Sequence, residues 1–272
     1  MSSEQGTRAA AESPLLEPFF DAPEHAALLT DVDGTLAPIV ARPEQAILPP
    51  AAVAALHRLS ERFPLVACVS GRRAEEVRRL VGLDELAYAG NHGMEVLMPG
   101  EDAAKPSEGA LEWEPRIKEF VANLDGAALT ATELRQEDKG PIQALHWRGA
   151  ADEPAAEARA REIAAAAQAD GLAVHWGRKV VELRPPVAIG KDIAVDGLLV
   201  GTGARHAIYA GDDRTDLDAF AGLRGMRERG GLESAVCVGV LSPEGPTELA
   251  RESDLTVDGP AGWLAILEAL AR

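Results

Sequence analysis

Ala26-Ala27-Leu28-Leu29-Thr30-Asp31-Val32-Asp33-Gly34-Thr35-Leu36 runs from an apolar, strand-like segment into two carboxylates one residue apart and a glycine turn. Two such charges repel each other unless a cation sits between them. An aspartate oxygen can attack phosphorus when a divalent cation and a lysine offset the phosphate's charge. The stretch therefore reads as a buried strand ending in a metal-assisted nucleophile, Asp31. Asp33 is placed to protonate a leaving oxygen and then to deprotonate the attacking water. Gly34 lets the turn bend sharply and brings backbone amides toward phosphate oxygens. A calcium loop is excluded, because Thr35 and Leu36 stand where that loop needs a third Asp or Asn ligand and a glycine. Mg²⁺ is the expected metal, since a hard, oxygen-only site beside a phosphate suits it.

The same arrangement recurs along the chain. Leu65-Val66-Ala67-Cys68-Val69 ends at Ser70-Gly71, and Ala207-Ile208-Tyr209-Ala210 ends at Gly211-Asp212. Ala235-Val236-Cys237-Val238-Gly239-Val240 ends at Leu241-Ser242. Helical patterns cover roughly 50–62, 73–81, 191–200 and 214–222. Strand–helix alternation of this kind predicts an α/β fold, a Rossmann-type parallel sheet with helices on both faces. Ligands in such folds bind beyond the carboxyl ends of the strands.

Those ends carry the rest of the chemistry. Ser70 and Gly71, at a strand end and before a helix, form a phosphate cradle, although Ser-Gly alone is equally a turn and a cap. Lys191, at the start of a helix, is the cation expected between Asp31 and the phosphate. Gly211-Asp212-Asp213-Arg214-Thr215-Asp216 crowds three carboxylates into one turn, more than an acidic helix cap requires. Asp31, Asp33 and Asp212 are read as metal ligands, with Asp213 and Asp216 orienting metal-bound waters or Lys191. The chain has no Gly-x-x-x-x-Gly-Lys-Ser/Thr loop, His-Glu-x-x-His or Gly-x-Ser-x-Gly elbow.

Between 99 and 185 the pattern changes to longer helices and β-type segments at 141–147, 172–176 and 179–184. A helix over 153–170 has Asp152 as N-cap, Pro154 in its first turn and Gly171 past its end. With prolines marking both edges, residues 99–185 read as an inserted α/β cap domain. The core is then 15–98 with 186–272, after a loose tail at 1–14. The formal charge of −17 argues against a nucleic-acid partner. No apolar run is long enough to cross a bilayer. Two cysteines, each inside an apolar run, fit a reducing cytoplasm. The oligomeric state stays open, with a monomer as the default.

With Asp31–Leu36, Ser70, Lys191 and Gly211–Asp216 in that order, the chain resembles the haloacid dehalogenase superfamily of phosphohydrolases. Ser70-Gly71-Arg72, Ala89-Gly90-Asn91-His92-Gly93-Met94-Glu95, Val181-Glu182-Leu183-Arg184-Pro185 and Gly211–Asp216 further resemble the trehalose-6-phosphate phosphatases. The resemblance implies a Mg²⁺-dependent phosphatase whose cap binds a small sugar phosphate. It puts sugar-binding positions at His92, Gly93, Arg148, Lys179 and Glu182. A carboxylate on a cap strand can indeed accept from neighbouring hydroxyls. Asp192 and Leu217 depart from the family pattern, which keeps sucrose-6-phosphate and glycosyl-phosphoglycerate phosphatases as alternatives. A phosphomutase or a non-catalytic sugar-phosphate sensor ranks below them.

Overall fold

A computed structural model describes residues 10–40, 45–177, 179–187, 190–243 and 245–272, with residue 108 described by its backbone alone. The chain divides into two compact units: Met1–Lys105 with Ile189–Arg272, and Pro106–Ala188. The first unit is thus built from both ends of the chain.

Its sheet contains β1 (Ala26–Thr30), β2 (Leu65–Val69), β3 (Ala87–Gly90), β4 (Glu95–Leu97) and β5 (Lys105–Pro106). Strands β6 to β9 belong to the second unit, and β10 (His206–Gly211), β11 (Ser234–Leu241) and β12 (Leu255–Asp258) complete the first. The order is β12-β11-β10-β1-β2-β3-β4-β5. The chain leaves central β1 toward β2 on one side and later returns to β10 on the other, so the strand order reverses at β1. All neighbours from β12 to β3 pair in parallel. β4 turns back antiparallel to β3 through Asn91, His92 and Gly93, whose φ angles are 50°, 58° and 95°.

β1 and β2 are buried along their whole length, as expected of parallel strands covered on both faces. Leu28, Val66 and Ile208 face a core with Leu56, Leu59, Trp263 and Leu267 from helices Pro50–Ser60 and Gly259–Leu270. Leu29, Ala67 and Tyr209 face the opposite core, with Val195 and Phe220 from helices Lys191–Leu199 and Asp216–Glu228. Cys68 and Cys237 are unpaired members of these two cores.

The second unit has β6 (Arg135–Asp138), β7 (Gln143–His146), β8 (Ala173–Gly177) and β9 (Val180–Arg184), in the antiparallel order β6-β7-β9-β8. Leu145, Val181 and Leu183 pack against Ile117 and Val121 of helix Glu108–Ala122 and Ala160 and Ile163 of helix Glu153–Ala169. Asp152 caps the latter helix, accepting from the Ala155 amide at 3.0 Å.

Contacts divide the units after Lys105 rather than at 99. β5 is the outermost strand of the first sheet, and the Ala104 amide donates to Glu75 Oε1 at 2.9 Å, so residues 99–105 stay with the core. At the N-terminal side, the loose tail assigned to 1–14 is too long. Ala10 is buried in the same cluster as Leu16 and Phe19, and residues 1–9 lie outside the described ones. No helix among the described residues is long and apolar enough to cross a membrane.

Candidate active site

The site forms at the carboxyl ends of β1, β2 and β10, within the first unit. Parallel register brings Thr30 beside Ala210 and Cys68, so the residues that follow these strands leave the sheet together. The Asp31 amide donates to Ala210 O at 2.8 Å, which holds the start of the turn to the neighbouring strand. Behind it, Trp263 Nε1 donates to Thr30 Oγ1 at 3.1 Å, and Thr30 Oγ1 donates to Asp31 O at 2.8 Å. The turn closes with the Leu36 and Ala37 amides both 2.9 Å from Val32 O. Gly34 has φ of +93°, and a Cβ there would stand 2.1 Å from Asp212 Oδ2. Glycine is required at this position on both counts, conformation and closeness.

Lys191, the first residue of its helix, is 2% exposed. Its Nζ donates to Asp31 Oδ1 at 2.8 Å and to Asp216 Oδ1 at 2.7 Å. Asp216 Oδ1 also accepts from Tyr209 Oη at 2.7 Å. Its Oδ2 accepts from the Asp212 and Asp213 amides, each at 2.9 Å. A carboxylate has about four acceptor positions, and here four donors fill them. Asp213 caps the helix beside the cluster: its Oδ1 accepts from the Thr215 amide and hydroxyl at 2.7 Å and from the Asp216 amide at 3.2 Å.

Asp31, Asp212 and Asp216 each offer a carboxylate oxygen within 4.8 Å of the others, and all three are buried. Burial drives the Asp31 carboxyl well above its ordinary range against the pull of Lys191. Burial, reinforced by Asp216 and Asp213, pushes Asp212 up to about 7. Burial alone would lower Lys191, but Asp216 and Asp31 outweigh it and raise the ammonium above its ordinary range. One lysine therefore does not neutralise the cluster, and the donor set is all oxygen, which fits a hard divalent cation. Because Asp216 is saturated, the oxygens left for such an ion are those of Asp31 and Asp212. Asp212 Oδ1 accepts from Thr35 Oγ1 at 3.1 Å, which leaves Oδ2 outside that bond.

Asp33 does not join this cluster. Arg72 grips its carboxylate at both oxygens, Nε to Oδ2 at 2.6 Å and Nη2 to Oδ1 at 2.5 Å. Ser70 is 1% exposed, and its Oγ accepts from the Arg72 amide at 3.1 Å. The amide of Ala74, at the start of the following helix, is taken by Glu95 Oε1 at 2.8 Å. A phosphate cradle here thus rests on the Ser70 hydroxyl and the loop, without that amide. The His92 amide donates to Ser70 O at 3.0 Å, and a Cβ on Gly71 would meet the His92 ring at 2.8 Å. Gly93 lies on Ala194 and Gly190 O, where a Cβ would come within 2.8 and 3.0 Å. Ser70, Gly71, His92, Gly93 and Lys191 therefore occupy adjoining loops and one helix start.

Three sequence-predicted positions belong to the second unit. Glu182 Oε1 accepts from Lys139 Nζ at 3.2 Å, and its Oε2 accepts from Arg184 Nε at 2.9 Å. Lys179, with φ of +63°, pairs with Glu153 at 2.6 Å. Arg148 lines a hollow of about 400 Å³ together with Leu129, Glu133 and Arg135. The sequence reading had no role for Arg72, Tyr209, Lys139 or Arg184. Tyr209 carried a signal, because a phenol buried in a strand needs a hydrogen-bond partner.

The trehalose-phosphatase family model matches residues 29–247. The chain is 33% identical over 261 residues to trehalose 6-phosphate phosphatase RA3 of Zea mays, covering 90% of this chain and 69% of that protein. It is 34% identical over 217 residues to probable trehalose-phosphate phosphatase 4 of Oryza sativa subsp. japonica, covering 77% of this chain and 59% of the relative. The chain thus spans between somewhat over half and about two thirds of these relatives' length. A crystal structure of a trehalose-6-phosphate phosphatase related protein superposes with a TM-score of 0.67 at 26% identity, over 90% of this chain and 97% of the other. The doubly wound core shares its fold with a haloacid dehalogenase-like hydrolase from Bacteroides thetaiotaomicron, at a TM-score of 0.59 and 15% identity over 90% of this chain and 98% of the other. The family match takes in Asp31, Ser70, Lys191 and Asp216 alike, and the chain belongs to the trehalose-phosphatase family of phosphoric monoester hydrolases.

Proposed function

We propose that this chain hydrolyses trehalose 6-phosphate to trehalose and phosphate, with Asp31 as the nucleophile. The observation that carries the reading is Lys191, buried and bonded to both Asp31 and Asp216 at the ends of the parallel strands. Asp31 attacks phosphorus, the ester P–O bond breaks, and Asp33 gives a proton to the departing sugar oxygen. Asp33 then takes a proton from water, which attacks the aspartyl-phosphate and releases phosphate and free Asp31. Arg72 holds the Asp33 carboxylate in place beside this path, and the pairing must loosen when Asp33 carries the proton. Lys191 stays charged and fixes the attacking carboxylate through Oδ1. A divalent cation such as Mg²⁺, held by Asp31 and Asp212, would supply the charge that offsets these carboxylates and the phosphate. Phosphate-monoester hydrolysis needs accelerations of up to ~10²¹, and electrostatics and positioning must provide most of it.

The Ser70 hydroxyl, with Gly71 and Gly34 in the neighbouring turns, is assigned to the phosphate. His92 and Gly93, with Arg148, Lys179 and Glu182 of the second unit, are assigned to the sugar, and that unit to the role of cap. We place the chain in the cytoplasm on its two buried, unpaired thiols. The two departures from the family pattern have structural explanations. Leu217 packs against the apolar core, and the backbone of Asp192 lies 2.7 Å from where a Cβ on Gly222 would sit, so it faces the neighbouring helix.

The test is phosphate release with and without Mg²⁺ from trehalose 6-phosphate, sucrose 6-phosphate, glucose 6-phosphate and glucosyl-3-phosphoglycerate. The expected result is a strong preference for the first, lost with a chelator and lost in Asp31→Asn. Equal turnover of all four would discard the substrate, and an active Asp31→Asn would discard the nucleophile.

A further inference from the structure

The sheet of the second unit has one face packed against its helices; the other is polar. Register lines up Glu137, Ala144, Glu182 and His175 across β6, β7, β9 and β8. Ala144 is small and buried, so the side chains flanking it reach over it. Lys139, from the hairpin between β6 and β7, lies 3.2 Å from Glu182 Oε1 and 4.0 Å from Glu137 Oε2. Arg184, two residues along β9 and on the same face, bonds Glu182 Oε2 through Nε and Nη2. The three side chains are 12% (Glu182), 14% (Arg184) and 19% (Lys139) exposed.

Each oxygen of Glu182 is thus held by a different cation, which fixes the plane of the carboxylate as well as its charge. Burial would raise this carboxyl, yet Arg184 and Lys139 overcome it and hold it down at about 2. Arg184 takes both positions of Oε2 and Lys139 one of Oε1, which leaves Oε1 one acceptor position in a set direction. One fixed acceptor beside an ammonium with donors to spare matches a pair of neighbouring hydroxyls, one donating to Glu182 Oε1 and the next accepting from Lys139. We propose that Lys139 and Arg184 are positioning residues for Glu182, holding its Oε1 as a fixed acceptor for a hydroxyl of the substrate's sugar. The proposal rests on the assignment of Glu182 to the sugar.

Steady-state kinetics on the full chain test it, with trehalose 6-phosphate and with p-nitrophenyl phosphate, which has no sugar. Glu182→Gln, Lys139→Met and Arg184→Gln each raise KM for trehalose 6-phosphate by about tenfold to a hundredfold, the range of a hydrogen bond to a charged group. kcat falls less than KM rises, and kcat/KM for p-nitrophenyl phosphate falls far less than that for trehalose 6-phosphate. If the cations act through Glu182, Lys139→Met/Glu182→Gln and Arg184→Gln/Glu182→Gln are no worse than Glu182→Gln alone. Lys139→Arg and Arg184→Lys, which keep the charge and the fold, recover part of the lost affinity. Additive double variants, or charge-keeping variants as weak as the neutral ones, overturn the positioning role. A wild type without preference for trehalose 6-phosphate overturns the substrate reading and the proposal with it.

Discussion

At Asp216 a single buried carboxylate receives four donors, and this residue organises the site more than it could serve as a ligand. Lys191 is held in place by it, and Lys191 in turn holds Asp31. Tyr209→Phe removes one donor and leaves the ring packed on Phe220, with which it makes an edge contact at 6.0 Å. The expected cost is about 1 kcal/mol of stability, with a several-fold fall in kcat as Lys191 loosens. Denaturant midpoints and turnover on the same preparations measure both; an unchanged kcat would detach Tyr209 from the chemistry. Gly34→Ala acts at the opposite side of the cluster. Its Cβ would fall 2.1 Å from Asp212 Oδ2 in a turn with φ of +93°, so either the turn or Asp212 must move. We expect loss of at least ~100-fold in kcat/KM, the scale set by displacing a catalytic group by an ångström. Wild-type turnover in Gly34→Ala would show that Asp212 is not needed where it stands.

The elements that carry the site were legible because their apolar runs end abruptly in polar loops. The runs at 65–69, 207–210 and 235–240 became β2, β10 and β11, and helices were found at Pro50–Ser60, Ala74–Val81 and Lys191–Leu199. β6 was not legible: Arg-Gln-Glu-Asp has no apolar face, and all four residues are exposed on an edge strand. β3 and β4 are short, and the turn between them depends on left-handed Asn91 and His92, which composition does not announce. The pairing of Asp33 with Arg72 was equally hidden, because it joins the loops after two different strands. So was the grip of Lys139 and Arg184 on Glu182 in the sheet of the second unit. That grip has a consequence in acid. Lys139 and Arg184 face Glu182 directly, with Glu137 and His175 in the same cross-strand row. Its folded carboxyl sits at about 2, below the ordinary 4.5, so its contribution is fully present above about pH 4.5 and is lost as pH falls toward 2. The displacement corresponds to stabilisation on the order of 3 kcal/mol. Denaturant midpoints of wild type and Glu182→Gln should therefore differ most near neutrality, and the gap should shrink below about pH 4.5 and close only toward about pH 2. A gap that stays constant with pH would mean that the ion pair adds nothing to the folded state.

Over the whole molecule the formal charge is −17, and a buried cluster of three carboxylates contributes to it. Asp31, Asp212 and Asp216 bring three negative charges against the one positive charge of Lys191, an excess of two among buried side chains. Without a cation the chain relieves this excess by holding protons: burial first, and then the neighbouring Asp216 and Asp213, raise the Asp212 carboxyl to about 7. A divalent ion that binds only the folded site should therefore stabilise the entire fold by mass action. At a hundredfold excess over its Kd the gain is about 2.7 kcal/mol, or roughly 5–10 °C in Tm for a chain of this size. Two controls separate this from general screening of a strongly acidic protein. NaCl at matched ionic strength should give a much smaller rise, because screening reaches exposed charges and leaves buried ones nearly untouched. Asp212→Asn should lose most of the response to Mg²⁺, since it removes one of the two carboxylates that Asp216 leaves available. It should also melt nearer to wild type without Mg²⁺ than with it, because the same substitution relieves the repulsion that the ion would have cancelled. Equal rises with NaCl and Mg²⁺ would place the effect on the surface and remove the cation from the Asp31–Asp212 site.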